Sequence, residues 1–165
     1  MEQTELDPVD YIAQTRATYS SLGYGEYRWA HNEETPPWAP LTKPLADVRV
    51  ALIASGGVYT VGQVAFTHKD DVTHREIPTG VDVANLRVTH FAFDQTNARS
   101  DPNVIFPIEP LRRLATDGFI GGLTTHALTF MGGIYSQRRL REELIPVLVD
   151  RTLEMGADVV LLVPV

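Results

Sequence analysis

The chain has 165 residues, a formal net charge of -7, 44% hydrophobic and 21% charged residues, and no cysteine. That length fits one domain with a real core, and the composition excludes general disorder. The acidic balance argues against nucleic-acid binding, and the missing cysteines exclude disulfides, thiolate metal sites and thiol catalysis within the chain as given.

The first ten residues, MEQTELDPVD, lack the basic start and apolar run of a signal peptide, and no apolar stretch is long enough to cross a bilayer. A cytoplasmic protein without membrane partners is therefore expected. Asp7-Pro8 reads as an N-cap with proline at the first helical position and Gly23 as a stop, which predicts a helix over 8–22. A loop with Pro36, Pro37, Pro40 and Pro44 follows, in which Trp29 and Trp38 read as packing residues. Residues 1–46 are thus expected to form a helix and a proline-rich loop packed on a domain spanning 47–165.

The stretch VRVALIASGG, Val48 to Gly57, is short, apolar and β-branched, as suits a strand buried on both faces of a parallel sheet. Ligands gather outside the carboxyl ends of such strands, which points to Ser55, Gly56 and Gly57; a tight turn with nothing bound is the plain alternative. The residues around His68 to Glu76 are polar enough for a solvated excursion. Residues 86–93, LRVTHFAF, alternate and read as a second strand. Pro110 opens a helix that Gly118 stops, and Phe119-Ile120 reads as a very short strand. Ser136 is placed to cap a longer helix that Pro146 kinks or splits and Gly156 ends. Residues 159–163 form the last strand, as apolar as the first. Strands alternating with helices predict an α/β fold, a Rossmann-like three-layer domain with a mainly parallel sheet.

Ser55, His90 and Asp94 supply the residue types of a nucleophile, base and orienting acid, but Ser55 lacks the G-x-S-x-G frame. The five histidines show no H-x-x-x-H spacing, so no metal site is assigned, and neither a Walker pattern nor G-x-G-x-x-G is present. What remains from the residues alone is an α/β domain with a glycine-edged cleft.

Several stretches, in order, carry a resemblance: ASGGVYTVGQVAF, HREIP, LRVTHFAFDQTNARSDPNVIFP, GFIGGL, FMGG and GADVVLLVPV. Together they resemble the selenoprotein B subunits of glycine/sarcosine/betaine and D-proline reductases. The run Asp94-x-x-x-Ala98-Arg99-x-Asp101-Pro102-Asn103 is the most specific part, because a core does not need its polar residues. The resemblance implies an enzyme subunit that reductively cleaves a carbon–nitrogen bond alpha to a carboxylate. It implies a selenocysteine, a pyruvoyl group on a partner subunit that holds the substrate amine, and a small amino-acid-like substrate. It places the redox residue, selenocysteine or cysteine, directly after Val165, so no catalytic residue is assigned within the chain. A misread UGA codon and a natural short paralogue are the two explanations for that ending. Ser55, Gly56, Gly57, His90, Asp94, Thr96 and Arg99 are the implied substrate-cleft candidates; an ion pair of Arg99 with Asp94 or Asp101 is the structural alternative. A non-catalytic small-acid-binding or structural subunit is the alternative function. The apolar final strand predicts a homo-oligomer, with contacts near Val159–Val165 or Trp38.

Overall fold

A computed structural model describes residues 10–25, 30–68, 70–91 and 93–165. The chain divides into two compact units, Met1–Ala39 and Pro40–Val165. In the first, helix α1 spans Tyr11–Ser21 and the Asp10 carboxylate caps it by accepting from the Ala13 N–H at 3.0 Å. The expected Asp7-Pro8 start and Trp29 lie outside the described residues; the observed cap is Asp10.

The second unit is built on β1 (Arg49–Ala54), five of whose six residues are buried. One edge of β1 pairs in parallel with β7 (Val159–Val163), from Val50↔Val159 to Ala54↔Val163. The other edge is shared by two short parallel strands, β5 (Gly122–Leu123) and β6 (His126–Thr129). Only Ala51 and Leu52 separate the two pairings on β1, whereas Thr124 to Ala127 fill the gap opposite. The longer side bulges outward there. Thr124 stays buried by donating its hydroxyl to the His126 carbonyl at 2.8 Å.

Three sequence expectations need correction. First, β3 (Arg75–Pro78) is a strand of the main sheet, antiparallel to β6, and Asp71 just before it is buried. Only Ile77 of β3 is buried, so an edge strand here has the polar composition of a loop. Its proline sits at the strand end, where a missing N–H is tolerated.

Second, the strand expected over 86–93 stops at β4 (Leu86–Val88) and is not part of the parallel sheet. It pairs antiparallel with β2 (Val58–Thr60) in a separate two-stranded sheet. Its partner supplies only three residues before the Gly57 turn, and the Thr89 N–H to Gly57 carbonyl bond at 3.0 Å is the last rung. Third, the short strand expected at Phe119-Ile120 lies three residues further on, at β5. The main sheet is therefore mainly parallel with one antiparallel edge.

Alternation along β1 sends side chains to two cores. Leu52 and Ala54 pack with Phe106, Ile108 and Leu111, on the side of helix α3 (Ile108–Thr116). Ile53 joins Leu128 against Leu144 and Leu148 on the opposite side. Ser136 caps the last helical region as expected, its Oγ accepting from the Arg139 N–H at 3.3 Å. That region runs as α4 (Gln137–Arg139), a π-helical turn at Leu140–Leu144 and α5 (Ile145–Glu154). Pro146, which has no N–H to give the preceding turn, stands two residues after the end of the π turn, so the break falls where the sequence puts it. Among the described residues no helix is long and apolar enough to cross a membrane.

Candidate functional site

Ser55, Gly56 and Gly57 leave the carboxyl end of β1 and meet the ends of its neighbours. The Ser55 N–H donates to the Val163 carbonyl at 3.1 Å, and the Ser55 carbonyl accepts from the Gly132 N–H at 2.8 Å. Gly57 donates to the Phe130 carbonyl at 2.9 Å, and Gly56 bridges to Met131. The Ser55 hydroxyl oxygen accepts from the Val165 N–H at 3.0 Å. Its own proton has no acceptor among the described residues, which leaves Ser55, half-buried, as a donor at the turn.

The two glycines are required by crowding. Gly57 has φ 68°, and a Cβ there would lie 1.9 Å from the Thr89 carbonyl oxygen. A Cβ on Gly56 would come within 2.7 Å of Ile105 Cδ1 and 3.3 Å of Val165 Cγ2. Gly132 is also close, its missing Cβ 3.2 Å from that of Ser55.

His90 is buried, its ring 4.9 Å from that of Phe93 and stacked 5.8 Å from that of Phe91. Burial, and then the charge of His68, hold its pKa below the usual 6.5, so it is a neutral imidazole at neutral pH. The Gln95 amide donates to the His90 carbonyl. Asp94 and Thr96 bind one another: the Asp94 carboxylate accepts from the Thr96 N–H at 2.9 Å and hydroxyl at 2.7 Å. Those bonds, the hydroxyl first, lower the Asp94 pKa. This is a local side-chain turn just ahead of α2 (Thr96–Ser100), and both side chains are exposed.

The Arg99 guanidinium donates to the Gln95 side-chain oxygen at 3.1 Å. The ion pair weighed for it with Asp94 or Asp101 does not form: Asp94 is held by Thr96, and Asp101 accepts from the Asn103 N–H and amide, both at 2.9 Å. Asn103 in turn donates to Glu109 at 2.6 Å. The polar run 94–103 is thus a chain of local side-chain bonds joining α2 to α3. Arg99 also lines a cavity of about 440 Å³ with Tyr59 and Arg87, and none of its described lining belongs to the Ser55–Gly57 turn. Tyr59 and Arg87 face each other across β2 and β4, a pairing hidden in the sequence because β2 is only three residues long. Among the described residues no group of three or more His, Asp or Glu side chains could hold a metal ion.

These features define an α/β protein with a mainly parallel sheet and a glycine-walled turn where its central strands end. Residues 24–163 match the family described as glycine/sarcosine/betaine reductase selenoprotein B, and the chain belongs to that family. It is 38% identical over 130 residues to the D-proline reductase subunit gamma of Acetoanaerobium sticklandii, covering 78% of this chain and 54% of that protein. It is 27% identical over 112 residues to the sarcosine reductase complex component B subunit beta of Peptoclostridium acidaminophilum, covering 65% of this chain and 26% of that one. The chain therefore spans about half the length of the first relative and about a quarter of the second. No solved structure matches it.

Proposed function

We propose that this chain forms the substrate-cleft part of a selenoprotein-B-type reductase subunit, in a complex that reductively cleaves a carbon–nitrogen bond alpha to a carboxylate. Family membership and the names of both relatives support the reaction class. The observation that carries the assignment of the cleft is the Val165 N–H to Ser55 Oγ bond at 3.0 Å. It holds the carboxyl end of β7 on the glycine turn, so a redox residue in the next position would stand at the mouth of the same cleft. The residues fit such a group: Gly56 lets Val165 close on the turn, and the Ser55 proton is available to a substrate oxygen. Selenocysteine supplies a low-pKa nucleophile for the alpha carbon, and a pyruvoyl group on a partner subunit supplies the hold on the amine. In this reading Ser55 orients the carboxylate, Gly56 and Gly57 let the neighbouring segments close on the turn, and neutral His90 packs behind. The complex works in the cytoplasm on a small amino acid.

The same reading includes association through β7. Val160, Leu161 and Leu162 of β7 are exposed, and β7 pairs only with β1 among the described strands. Such an edge offers unpaired backbone groups and apolar surface to a second copy of the chain or to a partner subunit.

The test extends the chain past Val165 with cysteine in the redox position and follows its alkylation by iodoacetamide. D-Proline, glycine, sarcosine or betaine should slow the reaction, and Ser55→Ala should reduce that protection several-fold. Alkylation indifferent to all four compounds would remove the proposal.

A further inference from the structure

We propose that the cavity beside β4 binds a small organic anion carrying two negative charges, a dicarboxylate or a phosphate monoester, between Arg87 and Arg99. The cavity measures about 440 Å³, within the size of small-molecule sites. Tyr59, Arg87 and Arg99 give it polar groups, and Leu86, Ala98 and Pro102 give it apolar walls for a carbon skeleton. Tyr59 and Arg87 are directly opposed across the β2–β4 pair, so both side chains stand on one face. Arg99 reaches the cavity from α2.

The electrostatics argue for an anion. Among the described residues Arg87 donates only to the carbonyls of Ala84 at 2.9 Å and Leu86 at 2.7 Å, and Arg99 only to the Gln95 amide oxygen at 3.1 Å. All three acceptors are neutral, and no carboxylate lines the cavity among the described residues. The nearby acids are committed elsewhere: Asp94 to Thr96, Asp101 and Glu109 to Asn103, and Asp82 to the Ala84 N–H. Two guanidinium charges therefore share a concave surface without an acid of their own, in a chain whose net charge is -7. A concave wall focuses that local field, and guanidinium forks match paired oxygens. The Tyr59 oxygen accepts from the Thr89 hydroxyl at 3.4 Å, which leaves the phenolic proton to donate. A ligand with two charges answers both arginines; one with a single charge answers one.

The experiment titrates the chain with succinate, inorganic phosphate and acetate at matched ionic strength, followed by calorimetry. Succinate or phosphate should saturate one site and bind about tenfold more tightly than acetate. Tighter succinate identifies the dicarboxylate, and tighter phosphate the phosphate ester. Arg87→Gln and Arg99→Gln should each weaken binding about tenfold. Arg113→Gln removes an exposed charge of α3 outside the cavity and should change nothing. If either glutamine variant fails to fold, Arg87→Lys or Arg99→Lys keeps the charge, loses the fork and should still weaken binding several-fold. Ser55→Ala should leave dianion binding intact, which separates this site from the proposed reductase cleft. Acetate binding as tightly as both dianions, or Arg113→Gln weakening binding as much as Arg87→Gln, would overturn the proposal.

Discussion

Gly56 and Gly57 stand side by side in the turn but meet different obstacles. At Gly57 the obstacle is a backbone carbonyl 1.9 Å away and the conformation is left-handed, so neither partner can yield cheaply. At Gly56 it is the end of the Ile105 side chain, which can rotate. Gly57→Ala is therefore expected to cost about 2–5 kcal/mol, and Gly56→Ala only about 1–2 kcal/mol. Urea midpoints at unchanged slope measure both; equal losses would contradict the account. The glycines were legible in the sequence as a turn, since two in succession after an apolar strand have few other uses. Asp94 and Thr96 were not legible as a mutually bonded pair. Their spacing is equally suited to a site, and only the structure shows Thr96 taking an Asp94 oxygen. Arg87 was missed because a single arginine in an alternating strand carries no signal until Tyr59 is found across from it.

Among the elements, β3 and α5 are tied by a bidentate pair. Arg151 donates to both Glu76 carboxylate oxygens, at 2.7 and 2.8 Å. Those hydrogen bonds are the first cause of a Glu76 pKa below the ordinary 4.5, against an opposing effect of burial. The native state then binds fewer protons than the unfolded chain near that pH. The contribution to stability is complete above about 4.5 and is lost as pH falls through the lower native value. Urea midpoints between neutral pH and the acid limit of folding should fall more steeply for the parent than for Glu76→Gln. Parallel profiles would show that the pair contributes nothing measurable. This link also marks how far element reading went. β1, β7, the Ser136 cap and the Pro146 break are carried by strong local patterns, and they stand where the residues put them. β2, β3, β5 and β6 are two to four residues each, too short for periodicity to declare them. β5 and β6 are specified by the long strand β1 that they pair with, while β3 is placed by β6 and β2 by β4.

At the scale of the whole molecule, the apolar groove between α5 and β7 is the surface most in need of cover. Leu153 is 68% exposed and Leu162 67%, on two different elements lining the same groove. Because both side chains already face solvent, Leu153→Lys and Leu162→Lys should fold normally and shift the chain toward a smaller species in light scattering. An unchanged mass for both variants would contradict association through this groove. The order of pairing along β1 adds a matter of timing. The Arg49 N–H finds the Asp158 carboxylate 109 residues later, and the β1–β7 ladder closes over a similar distance. At the ordinary pace of synthesis, the most buried strand waits roughly 5–20 s for that neighbour to be made. Until then it is an uncommitted sticky segment, and the nascent chain depends on being shielded or kept dilute. Refolding from urea reproduces the hazard without the ribosome: the recovered yield should drop between about 1 and about 100 μM protein. A yield independent of concentration would mean that β1 finds early shelter among residues that come before its permanent partners.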